Sequence, residues 1–211
     1  MGVGDLSAQV QYRLTQLAPG SWLPTASLNV QESLPVGRYD RLQRPSDGFG
    51  SGAYSTTLSS YFQSYFWLPN GRIVRARLDL SYAISSRASI SDQSVYGTPL
   101  GFRGHADPGD SAYLDLAFEY SATRNWVAAI DIWSAWDAST RVVGAYPPSG
   151  GGSTPVAFGS TSSASRKLFL APALEYNWSS RIGVILGVRI VAAGRNTTGL
   201  ITPAVALSYF D

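Results

Sequence analysis

The chain has 211 residues, no cysteine, one methionine and one histidine, and its formal net charge is only +2. Charged residues make up 14% of it, against a usual value of roughly 25%. These figures exclude a disulfide scaffold, a zinc ribbon, a thiol nucleophile, a multi-histidine metal site and a strongly basic nucleic-acid surface.

From the N-terminus onward the dominant period is two. Leu6, Ala8, Val10, Tyr12 and Leu14 alternate with Ser7, Gln9, Gln11 and Arg13, which makes one face apolar and the other wet. The same alternation predicts nine strands, near 5–17, 22–34, 52–67, 72–86, 111–123, 125–138, 163–178, 181–193 and 200–210. Most are longer than the roughly 5–6 residues of a strand in a soluble domain. They suit the ~9–11 residues that a tilted strand needs to cross a bilayer. No run approaches the ~18 apolar residues of a membrane-spanning helix.

The connections also alternate. Those around Ala18-Pro19-Gly20-Ser21, Leu68-Pro69-Asn70-Gly71, Thr123-Arg124-Asn125 and Ser179-Ser180 are tight, and Asn-Gly tolerates the positive φ of a sharp turn. Between them lie long polar connections over 35–51, 87–110 and 139–162, read as loops, with 194–199 intermediate. Pro147-Pro148-Ser149-Gly150-Gly151-Gly152-Ser153 reads as a mobile low-complexity stretch. Short turns at one edge and long loops at the other are the rhythm of an outer-membrane barrel. Trp22, Trp67, Trp126 and Trp178 sit beside the four tight turns, and Tyr209 and Phe210 belong at the same level. One aromatic belt at one edge suits a membrane interface, where an indole is half-buried and its N–H is wet.

If all tight turns and the C-terminus lie on one side, the first strand starts on the other. Bacterial barrels normally have an even strand count. The expectation is an all-β antiparallel transmembrane β-barrel, a single domain over 1–211 that lacks one or three N-terminal strands and totals about 10–12. Met1-Gly2-Val3-Gly4-Asp5 has neither the basic start nor the apolar stretch of a signal peptide.

Gly2-Val3-Gly4-Asp5-Leu6, followed by Tyr12-Arg13-Leu14, resembles the glycine-rich start of a family of outer-membrane proteins named for a meta-pathway of phenol degradation. Leu34-Pro35-Val36-Gly37 is similar to that family's Leu-Pro-Thr-Gly, with valine in place of threonine, and Gly50-Ser51-Gly52-Ala53-Tyr54 is similar to a further glycine-rich stretch. Asp211 follows Phe210, where such barrels often end on phenylalanine. The resemblance implies a transporter or channel-like barrel of a Gram-negative outer membrane, for aromatic or other apolar compounds among small solutes.

The wet faces carry Arg13, Arg75, Arg77, Asp79, Asp115, Glu119, Asp131, Glu175 and Arg189. An arginine facing lipid at the midplane costs about 2–4 kcal/mol, so these charges are assigned to the lumen. There they either set the selectivity of a pore or salt-bridge a narrow barrel shut. Tyr61, Tyr65, Tyr113, Trp133 and Phe169 share that parity, although both faces of the third strand carry aromatics. They read as a path for an aromatic solute or as packing. His105 near Asp107 and Asp110 could serve a barrel hydrolase, and Asp92, Asp107 and Asp110 could hold Ca²⁺, but a surface-loop role is the simpler reading of each. Asn177-Trp178-Ser179 and Asn196-Thr197-Thr198 are chance glycosylation matches in a bacterium. The functional expectation is passive uptake of small solutes, with a bilayer and a solute as partners and no cofactor, metal, nucleic acid or catalytic residue. The alternatives are a plugged or partner-binding barrel, a barrel hydrolase, and a soluble lipocalin-like carrier.

Overall fold

The computed structural model describes residues 2–18, 20–148 and 154–209. It is all-β, with antiparallel pairing throughout and no α-helix among the described residues. Thirteen strands occur: β1 (Leu6–Thr15), β2 (Thr25–Leu34), β3 (Ser55–Trp67), β4 (Ile73–Ser85), β5 (Ala88–Ser91), β6 (Arg103–Asp107), β7 (Ser111–Ser121), β8 (Trp126–Asp137), β9 (Arg141–Tyr146), β10 (Val156–Thr161), β11 (Ser165–Asn177), β12 (Ile182–Arg195) and β13 (Ile201–Tyr209).

Nine of them form one sheet, in the order β1-β2-β3-β4-β7-β8-β11-β12-β13. These are the nine alternating segments of the sequence, joined to their sequence neighbours as a meander. The tight turns close as their side chains dictate. Gly71 takes φ +74°, its N–H donates to the Leu68 carbonyl at 3.0 Å, and the Arg72 N–H donates to the Asn70 side chain at 3.0 Å. The Thr123 hydroxyl accepts the N–H groups of Asn125 and Trp126 at 3.1 and 2.9 Å, and Ser179 does the same for Arg181 and Ile182 at 3.2 and 3.3 Å. The expected barrel is not closed by these strands: β1 pairs only with β2 and β13 only with β12 among the described residues. Two register shifts, between Arg13 and Thr15 and between Leu168 and Phe169, were not visible as breaks in the alternation.

The two faces of this sheet invert the order of a soluble protein. Between its edge strands the polar face is the more covered one, with Asn29 4% exposed and Ser59 6%, while β1 and β13 are exposed on both faces. The sheet therefore curls around its polar side. On the opposite face Leu58, Leu174 and Leu186 are 49–54% exposed. Among the described residues no second layer of strands packs on that face, since the extensive strand contacts run between hydrogen-bonded neighbours.

The long connections are not simple loops, which corrects the reading of 87–110 and 139–162. They contain β5, β6, β9 and β10, which form a second, four-stranded sheet in the order β10-β9-β6-β5. This order repeats β11-β8-β7-β4 of the large sheet. The register also runs on unbroken. Ala83 pairs with Ser111 below the interruption and Ala88 with Ala106 above it, and Ser165 pairs with Asp137 below and Thr161 with Arg141 above. The small sheet is thus a continuation of the four central strands past a break at 86–87, 108–110, 138–140 and 162–164. The break is bridged by Ala138 N–H donating to the Asp110 carbonyl at 2.8 Å and Ser162 N–H to that of Thr140 at 2.9 Å. Gly109 permits this close passage, because a Cβ there would collide with the Ala138 carbonyl. The sequence concealed the small sheet because its strands are short and separated by glycine and proline. Ser149 to Ser153, part of the stretch read as mobile, lies outside the described residues.

The buried hydrophobic cluster belongs to this extension, not to the large sheet. Ile90, Phe102, Ala106 and Val142 are buried together, with Tyr39, Tyr96, Tyr146 and Phe158 against them. Phe102 lies over Gly104 and Gly144, where any side chain would occupy the same space.

Candidate functional site

Strand register gathers the predicted polar residues on one face. Gln63, Arg77, Ala117 and Asp131 follow one another across β3, β4, β7 and β8. The next row is Tyr61, Asp79, Asp115, Trp133 and Phe169, and the one beyond holds Ser59, Ser81, Tyr113, Ala135 and Lys167. Tyr65, Arg75 and Glu119 form a row on the other side. This settles the facing of the third predicted strand, whose Tyr61 and Tyr65 share the parity of Arg75. Glu175 lies on the same face of β11, with its carboxylate accepting from the Asn177 amide at 2.9 Å. Arg189 is on β12, and Arg13 lies near the short-turn edge of β1, 3.4 Å from Gln16.

These charges divide into two groups. Arg75 donates to both Glu119 oxygens at 3.3 and 3.1 Å and twice to the Gln63 amide oxygen, at 3.0 and 2.6 Å. Arg77 shares Glu119 at 3.6 Å. That cluster cross-links β3, β4 and β7. Lys167 pairs with Asp137 at the rim at 3.7 Å. In the second group Asp79 stands directly opposite Asp115, with Asp131 on the next strand, and none of the three is ion-paired among the described residues. One oxygen of Asp115 and the Nε of Arg77 are covered and have no hydrogen-bond partner.

Beside the carboxylates runs an aromatic stack. The Tyr113 and Trp133 ring centroids are 4.9 Å apart, those of Trp133 and Phe169 are 3.9 Å apart, and the Arg189 guanidinium lies 5.7 Å from the Trp133 ring. Sequence parity placed these rings on one face. It could not show that three different strands bring them into contact, because that depends on register. The arrangement is chemically a polar face with three carboxylates that form no ion pair among the described residues, beside a cluster of tilted aromatic rings and a guanidinium.

The aromatic belt lies along one edge of the large sheet. Trp67, Trp126 and Trp178 flank three tight turns, Trp22 lies in the connection between β1 and β2, which is longer than the tight turn expected there, and Tyr209 pairs with Ile182 at the same level. Tyr176 packs between Trp126 and Trp178, its ring tilted against the first at 4.7 Å and edge-on to the second at 5.4 Å. Phe210 lies outside the described residues.

The three glycine-containing motifs meet at the opposite edge. The Asp5 carboxylate accepts the Gly37 N–H at 2.9 Å, the Ser51 N–H at 2.8 Å and the Ser51 hydroxyl at 2.9 Å. Gly37 and Gly50 pass so closely that a Cβ on either would strike the other's backbone. Burial raises the Asp5 pKa, but the hydrogen bonds from Ser51 and Gly37 outweigh it and hold the carboxyl below its usual range. Tyr96 donates to the Ser51 carbonyl at 2.5 Å, and burial, with the Asp5 charge, pushes its hydroxyl up to about 12.

His105 lies on β6, 3.7 Å from Asp107, which is itself held by Arg87 at 2.6 Å. Its cross-strand neighbours are Ser89 and Val143, and no serine hydroxyl is bonded to it among the described residues. The candidate calcium ligands are not brought together. Asp92 accepts the Gly101 N–H, Asp107 pairs with Arg87, and Asp110 accepts Tyr82 and the Ser85 N–H.

No protein-family model matches the chain, and no curated protein matches it in sequence.

Proposed function

We propose that the chain forms an outer-membrane β-barrel of the phenol-degradation family its motifs resemble. On this reading it lets small solutes, aromatic ones included, pass down their gradient. The observation that carries the reading is a contrast along one continuous face. Above the break the even-numbered side of the central strands is sealed by the chain's own Phe102, Tyr39 and Tyr96. Below it the same side, with Leu58, Leu80, Leu174 and Leu186, is bare. A protein that covers its apolar face in water and leaves it open a few residues further on is matched to two media. The aromatic edge marks the far boundary of the apolar medium.

Open strand edges do not occur in hydrocarbon, where each unpaired backbone group costs several kcal/mol. The reading therefore requires the free edges of β1 and β13 to find backbone partners in the membrane. The acidic patch and the Tyr113–Trp133–Phe169 stack then face the lumen. A second reading, a barrel shut by its own side chains, is favoured by the Arg75–Gln63–Glu119 cluster that spans three strands. Swelling of liposomes holding the refolded protein separates the two. Permeation of small aromatic solutes supports the channel, and a sealed vesicle supports the plug. Failure to insert would remove both.

A further inference from the structure

On the apolar face, at its loop-side edge, Trp136, Arg166 and Arg195 form one row across β8, β11 and β12. The Arg166 guanidinium lies 6.0 Å from the Trp136 ring. Arg166 and Arg195 are directly opposite each other, both exposed, and neither has a carboxylate partner among the described residues. Like charges placed opposite on a sheet repel, and the register shift at Leu168 is what brings Arg195 onto this face. Below them Ser134 and Ala193 flank Leu168, and these small side chains leave an open groove of about 370 Å³. Two forked cations side by side, an aromatic beside them and an apolar groove beneath match a phosphate that carries an apolar tail.

We propose that this row is a site for the anionic phosphate of a lipid headgroup in the loop-side leaflet, with an acyl chain along the Leu168 groove. The proposal rests on the membrane reading above. The test uses the chain reconstituted in phosphatidylcholine vesicles that contain a minor fraction of either phosphatidic acid or diacylglycerol. Lipid retained on re-extraction is counted by mass spectrometry. Wild type is expected to retain phosphatidic acid over diacylglycerol. Arg166→Gln with Arg195→Gln should lower that preference on the order of tenfold. Arg181→Gln, at the short-turn edge, should leave it unchanged. If the double variant does not insert, Arg195→Gln alone, at an exposed strand end, should show a several-fold loss. An unchanged preference in the arginine variants would overturn the proposal. So would inorganic phosphate displacing the lipid at equal concentration, which would make the site one for free phosphate. Wild type that fails to insert refutes the membrane reading instead.

Discussion

Asp5 illustrates how one side chain gives three separated stretches a common place. Its carboxylate draws Gly37 and Ser51 to the start of β1, and the glycines allow the backbones to touch. Asp5→Asn should destabilise the knot by about 2 kcal/mol, the worth of a charge-assisted hydrogen bond. Hydrogen exchange at the Gly37 and Ser51 amides would report it. The sign of the pH effect follows from the lowered pKa. The contribution is present above the ordinary carboxylate value of 3.8 and is lost as pH falls through the depressed one. Tyr96 acts at the other limit. Its pKa is raised from 10.0 to about 12, so its contribution is complete below pH 10.0 and is lost as pH rises toward 12. Exchange at Ser51 measured across both ranges should show protection failing at each end. On the polar face, Asp79, Asp115 and Asp131 form no ion pair among the described residues while Glu119 forms two. Replacing the three aspartates by asparagine should move single-channel selectivity away from cations several-fold. Glu119→Gln should instead loosen the cluster, with a loss of about 1–2 kcal/mol in chemical unfolding because Arg75 and Arg77, each about a third exposed, lose their carboxylate.

Among the elements, the nine long strands were legible because their period of two persists for 9–14 residues. The four short strands were not. Gly104, Gly144 and Gly159 interrupt their alternation, and the residue that covers Gly104 and Gly144, Phe102, lies outside any strand. The small sheet is also the part of the molecule that depends on an ordinary hydrophobic core. Phe102→Ala should cost about 3–5 kcal/mol, and the loss should be local. Amide exchange should accelerate in β5, β6, β9 and β10 while β4, β7, β8 and β11 stay protected, because the break at 108–110 separates their packing. Equal acceleration in both sheets would show instead that they unfold as one unit.

For the whole molecule, the decisive quantity is what touches the apolar face. Leu186→Arg, on that face near the middle of β12, should cost about 2–4 kcal/mol in a bilayer. Ala204→Arg, on the polar face of β13, should cost far less. Urea unfolding of the reconstituted protein compares them, and equal costs would argue against a hydrocarbon environment. The alternation alone determined the nine long strands, their two faces and the aromatic edge, since side-chain direction in a strand depends only on parity. It also determined which charges share a face. Only the tertiary structure decided which of them meet. The Glu119 cluster, the unpaired aspartates, the Trp133 stack and the opposed Arg166 and Arg195 all depend on how adjacent strands are registered. Register is set by turns, bulges and contacts between residues far apart in the chain, and no local period encodes it.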